Sequence, residues 1–307
     1  MAELSIGSAV GEGFVLIRRR PMSILLWGLV SLTITAGVFG ILAPFYTSIF
    51  TRAFTAAKLG VAAPPPDIRQ MMQMQGMSYL TNFVSLMVST ILYCAAFRSV
   101  IHPDRSQFGY IRVGLAELFV FILKVAATFG LVIVLIVIAI PVGIVVGVLV
   151  AMHLLPAAII LGVVLAVAAA VGVIYVALRF SLIAPMIVSD GKFHLFDAWA
   201  LTKGKTGGLF LMALCLFVIV VIAELVIGLV MLLLGAGVLG GMAGGFQNLP
   251  TFFRQSPQIL FQSLTPIVAL AGLLWIPISG AAVAVMGAPW ARAYRDLAGP
   301  DLAATFA

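Results

Sequence analysis

The chain has 307 residues, of which 63% are hydrophobic and only 9% charged, and its net charge is +7. Soluble domains carry about 25% charged residues, so this composition cannot supply a water-facing surface and points to a polytopic membrane protein. Nucleic-acid binding is excluded as the meaning of the charge, because no basic stretch is interleaved with aromatics.

From the N-terminus, Ile6, Val10, Phe14 and Ile17 recur at helical spacing, with Glu12, Arg18, Arg19 and Arg20 off that stripe. A helix that is apolar on one face and basic beside it suits the membrane–water interface. The apolar run at 22–44 is too long for a signal-peptide core and has no small-x-small cleavage site, so it is expected to stay as a first span. Residues 45–76 read as an outer stretch, broken at Pro64-Pro65-Pro66, with Asp67 capping a helix start. Met71, Met74 and Met77 follow at helical spacing. With no His or Cys beside them, they read as an adaptable apolar surface rather than a Cu(I) site.

A second span is expected at 77–101. Beyond it, Phe108, Ile111, Leu115 and Leu118 make a second amphipathic stripe flanked by Arg105 and Arg112. The third span, 115–150, is too long for one straight crossing of a ~30 Å hydrocarbon core, so Pro141 either kinks it or starts a re-entrant piece. A fourth span at 155–188 is also overlong and carries Arg179 about three turns before its end, so its last turns either project into the cytoplasm or let Arg179 snorkel to headgroups. A third amphipathic segment has Phe196, Trp199 and Ala200 on its apolar face and Asp197, Lys203 and Lys205 off it. The fifth span is expected at 207–234. A glycine-rich stretch at 235–245 reads as a flexible loop, followed by a short apolar helix around Phe252, Phe253, Ile259 and Phe261. The sixth span is expected at 264–290.

These elements predict an all-α integral membrane protein: one polytopic domain over 1–307, six transmembrane helices and three cytoplasmic interfacial amphipathic helices. Because spans start near 22, 115 and 207, interfacial helix, span and span form a unit that repeats three times in pattern. With the N-terminus inside, 13 of the 17 Lys and Arg residues fall on the cytoplasmic side, leaving Arg52, Lys58, Arg69 and Arg254 outside. That bias orients the chain with both termini cytoplasmic. The basic residues Arg18, Arg19, Arg20, Arg105, Arg112, Arg179, Lys203 and Lys205, together with Trp199, are expected to contact anionic headgroups of the cytoplasmic leaflet.

Signals for chemistry are sparse. Cys94 and Cys215 both fall inside spans and read as packing residues, and His102, His153 and His194 share no loop. No nucleophile elbow, phosphate loop or metal-ligand spacing occurs, so no enzyme, cofactor or metal is expected. Glu224 is the one carboxylate well inside a span; it is expected to face the interior, be protonated, or both, with Asn82 and Thr35 among its plausible partners. Its reading is either a titrating transport site or a structural bond between helices. Small-residue pairs such as Gly143-x-x-x-Gly147 and Gly280-x-x-x-Ala284 suit close helix packing within the chain, a homo-oligomer or a membrane-protein partner.

The stretch Arg179-Phe180-Ser181-Leu182-Ile183-Ala184-Pro185-Met186-Ile187-Val188, followed by Phe196-Asp197-Ala198-Trp199-Ala200-Leu201-Thr202-Lys203-Gly204, resembles the membrane domain of bacterial glycerophosphoryl diester phosphodiesterases and its stand-alone relatives. Arg179, Pro185, Ala198, Lys203 and Gly204 stand at that family's positions. The early helix ending in Arg20-Pro21 fits its N-terminal habit. The catalytic barrel is absent from this chain, so the resemblance implies no hydrolase activity. It implies a bacterial inner-membrane protein and lends the chain no settled role. The three interfacial helices, which offer a cytoplasmic surface for lipid or partner contact, read as a non-catalytic scaffold or accessory factor in lipid or envelope homeostasis. The alternative is a small transporter or channel using Glu224.

Overall fold

The computed structural model describes residues 5–59, 67–104, 107–193, 195–242, 244–248 and 257–299. Among them every regular element is helical and there is no strand. The helices are α1 (Ile6–Arg19), α2 (Pro21–Lys58), α3 (Ile68–Ile101), α4 (Leu115–Ala151), α5 (Leu155–Phe180), α6 (Ile183–Asp190), α7 (Leu195–Leu201), α8 (Thr206–Met242) and α9 (Pro257–Ala298). Short 3-10 turns lie at Gln107–Tyr110 and Phe246–Asn248. Six helical segments are long and apolar enough to cross a membrane, in accord with a multi-pass membrane protein.

The elements run longer than the apolar stretches alone suggest. α2 has 38 residues and passes through Pro44 to Lys58, so much of the stretch expected as outer loop is helix. At 1.5 Å per residue that is about 57 Å, well beyond a ~30 Å hydrocarbon core. α4 likewise passes unbroken through Pro141, which removes the re-entrant alternative. A proline forgoes one helical hydrogen bond, and in apolar surroundings without competing water the rest of the ladder holds. The glycines 235, 237, 240 and 241 are part of α8 rather than a flexible loop; positive φ begins only at Gly244 and Gly245. Ile259 and Phe261 belong to the start of α9, while Phe252, Phe253 and the Pro64–Pro66 break lie outside the described residues.

Two further corrections concern local breaks. The fourth span is two helices, because Pro185 has no N–H to give the Ser181 carbonyl and the chain turns at Ser181-Leu182. α6 then ends in a left-handed Gly191, whose N–H bonds the Ile187 carbonyl at 2.8 Å. The second amphipathic helix does not form. Phe108, Gly109 and Tyr110 all have positive φ, and α4 starts only at Leu115. Phe108, Val113, Leu115 and Leu118 nevertheless remain exposed apolar side chains.

The chain divides into two compact units. One comprises Gly13–Leu92 and Cys215–Met286. Here α2 and α9 approach backbone to backbone: a Cβ on Gly28 would overlap the Ile276 carbonyl, and one on Gly280 would overlap the Ile24 carbonyl. Gly13 lies similarly against Val285, where an added Cβ would stand 2.7 Å from its Cα. Ile24 and Trp27 are buried at this crossing. Small residues thus do what membrane helix packing asks of them, but at Gly280 and not at Gly143 or Gly147, where an added methyl would meet nothing.

The other unit comprises Met1–Glu12, Tyr93–Leu214 and Gly287–Ala307. α4 packs on α5 and α6, and α7 packs on α5 and α6. From Phe121 to Ala151 no side chain of α4 is buried, so this apolar surface requires a non-aqueous surround.

Candidate functional site

The polar side chains of the second unit converge in three clusters near helix ends. In the first, Arg98 in the last turn of α3 is ion-paired with Glu117 in the first turn of α4. Glu117 is 4% exposed, and its Oε2 also accepts the Gly114 N–H at 3.0 Å. Arg98 Nη1 donates to the Tyr110 carbonyl at 3.4 Å, and the Tyr110 hydroxyl donates to the Pro103 carbonyl at 2.8 Å. These bonds fix the left-handed turn that replaces the expected helix. Nearby, Lys124 Nζ lies 4.8 Å from the centre of the Tyr93 ring.

The second cluster centres on Arg179, which is 7% exposed. Its guanidinium carbon lies 4.6 Å from the Trp199 ring centre and 5.6 Å from that of Tyr175. Nη1 donates to the Trp199 carbonyl at 3.3 Å and Nε to the Tyr175 hydroxyl at 3.2 Å. The buried Thr202 hydroxyl reaches back to the Arg179 carbonyl at 3.0 Å and to the Ala198 carbonyl at 2.9 Å. Among the described residues, Arg179 has no carboxylate partner, so aromatic faces and carbonyl oxygens stabilise its charge. It does not snorkel outward; α7 folds over it.

In the third cluster Arg292 spans Glu12 at 3.5 Å and Asp296 at 2.9 Å. Arg295 donates to the Val100 carbonyl at 3.3 Å, and the Ser189 and Tyr294 hydroxyls are 3.0 Å apart.

Of the bases expected at headgroups, Arg18, Arg19, Arg112 and Lys203 are exposed, Arg20 and Lys205 half-buried, and Arg105 lies outside the described residues. On α1 the residues that pack inward are Ala9, Gly13 and Leu16. The stripe of Ile6, Val10, Phe14 and Ile17 is left half-buried or exposed, Phe14 at 50%. On α7, Ala198 is buried and Phe196 is 80% exposed. Glu224, Asn82 and Thr35 are each exposed, and none of the three bonds another. Within this chain Glu224 thus lies on the helix surface rather than in the interior position expected for it. Sequence reading missed the Arg98–Glu117 pair and the Thr202 clasp. The signal available was an acid one turn into the third span and a base one turn from the end of the second.

Among the described residues no group of three or more His, Cys, Asp or Glu is disposed to hold a metal ion. Comparison with protein-family models, with curated proteins and with solved structures finds no match.

Proposed function

We propose that this chain is a non-catalytic, multi-pass protein of the bacterial inner membrane, with both termini cytoplasmic, acting as a scaffold or accessory factor in lipid or envelope homeostasis. The observation that carries this reading is the pairing of exposed apolar and exposed basic side chains in three separate segments. Phe14 stands with Arg18 and Arg19, Phe108 and Val113 with Arg112, and Phe196 with Lys203. A surface of this kind is stable where aromatic and aliphatic groups enter the interface and bases meet phosphates. The three segments form the repeated interfacial element of the layout, helical in α1 and α7 and a turn at 107–114. The 13-to-4 distribution of bases supports the orientation, and the resemblance over residues 179–204 supports the family.

The alternative, a small transporter or channel using Glu224, has less in its favour, since among the described residues no hydrogen bond joins Glu224, Asn82 and Thr35. The test is a nitroxide label on a single cysteine at position 196, with Cys94 and Cys215 replaced, in vesicles containing anionic lipid. Its collision profile should place the label at headgroup depth. A label fully accessible to aqueous relaxant would refute the interfacial reading.

A further inference from the structure

A cavity of about 170 Å³ opens among Arg98, His102, Arg112, Val188 and Ser189. Its walls come from separate parts of the chain: the end of α3, the linker before α4 and the last turn of α6. We propose that this cavity is a binding site for a phosphate group, carried either by a lipid headgroup or free in solution. The site's chemistry stands on the cavity itself; only its access to lipid rests on the surface reading above.

The charge balance favours an anion. Arg98 is held in place by Glu117 and the Tyr110 carbonyl, so its guanidinium is presented at a fixed angle and largely neutralised. Arg112 also lines the cavity, is exposed and has no hydrogen bond or ion pair among the described residues, leaving one uncompensated positive charge there. Of the carboxylates near the lining residues in sequence, Asp190 accepts the Lys192 amide at 2.9 Å and Asp104 is exposed, while Glu117 is engaged by Arg98 and the Gly114 amide. Ser189 donates to the Met186 carbonyl at 2.9 Å. Its proton can turn to a ligand oxygen while the Tyr294 hydroxyl, 3.0 Å away, keeps the serine oxygen bonded. His102 adds an imidazole edge.

Two guanidinium groups from different segments and a hydroxyl suit a tetrahedral oxyanion better than a planar carboxylate, which a single Arg fork satisfies. The volume equals roughly six waters at about 30 Å³ each, enough for a phosphate and part of its hydration but not for a nucleoside. On the linker that carries Arg112, Phe108 is 85% and Val113 82% exposed. They form an apolar shoulder along which acyl chains could lie.

Purified protein in detergent would be dialysed to equilibrium against radiolabelled inorganic phosphate. In parallel, its thermal stability would be measured in nanodiscs of phosphatidylcholine with and without phosphatidic acid. The variants are Arg112→Gln and Ser189→Ala; Arg112 makes no bond to any of the described residues, so the fold is expected to survive. Phosphate binding that falls about tenfold in Arg112→Gln assigns the free anion. Stabilisation by phosphatidic acid alone, lost in the same variant, assigns the lipid. Absence of both responses, or responses unchanged in Arg112→Gln, overturns the site. Phosphate binding with a water-exposed label at position 196 would instead leave the site standing and refute the surface reading.

Discussion

Arg179 and Trp199 are joined twice: the guanidinium stacks on the indole ring at 4.6 Å, and Nη1 donates to the Trp199 backbone carbonyl at 3.3 Å. One side chain thereby fixes both the ring and the main chain of α7, a helix of only seven residues that is far too short to be stable alone. Trp199→Leu keeps bulk but removes the ring face, and should cost about 1–2 kcal/mol, the scale of a desolvated cation–π contact. Arg179→Met, which also releases two hydrogen bonds, should cost more than Trp199→Leu. Thermal unfolding in detergent would measure both. Equal, negligible effects would show that α7 is held by something else.

The Arg98–Glu117 pair gives a sharper expectation. Removing one partner leaves a buried charge, so Arg98→Met or Glu117→Leu alone should destabilise by about 3–5 kcal/mol. The double variant should recover much of that loss, because two apolar side chains leave no charge unpaired. Chemical denaturation of the four proteins completes the cycle, and additive losses would contradict the pairing.

At the α2–α9 crossing, Gly28→Ala and Gly280→Ala should each disrupt folding, because the added methyl overlaps a carbonyl of the facing helix. Gly143→Ala and Gly147→Ala meet nothing and should be neutral or stabilising, since alanine is the better helix former by about 1 kcal/mol. Expression and melting temperature in detergent separate the pairs, and similar behaviour of all four would place the crossing elsewhere.

Glu224→Gln should leave the stability of the protein in detergent unchanged, as the side chain is exposed on α8 and has no bond to any of the described residues. A clear loss of stability in bilayers alone, accompanied by dissociation of an oligomer, would show that a second copy supplies its partner.

Orientation is tested by single cysteines at positions 62 and 205 in a background lacking Cys94 and Cys215. Position 62 should react with an impermeant maleimide in intact cells and position 205 only after permeabilisation.

Helix identity is legible in the sequence because the spans are uniformly apolar and few residues interrupt them. Where helices end is not. Pro44 and the glycines 235–241 are turn signals in water, yet here they lie within long helices, since apolar surroundings penalise an open backbone more than a weak helix former. The segment at 107–114 departs from its pattern for the opposite reason: its apolar spacing is helical, but Gly109 and the two bonds tying Tyr110 select a left-handed turn. The pattern assigns Arg179 and Trp199 to membrane contact, and the structure brings them together instead. No spacing rule connects residues in different helices, so the Thr202 clasp and the Arg98–Glu117 pair become visible only with the fold.

The pairing of the chain's two ends has a consequence for biosynthesis. Arg292 follows Glu12 by 280 positions, which at about 5–20 residues per second is tens of seconds of translation. During that interval α2 is already inserted while the facing backbone that fills its Gly28 notch does not yet exist. Nascent chains therefore pass through a state with an open helix flank, and any product cut short before α9 stays in it. Such fragments should be preferred targets of membrane quality-control proteases, making full-length completion the step that commits the protein to a long lifetime.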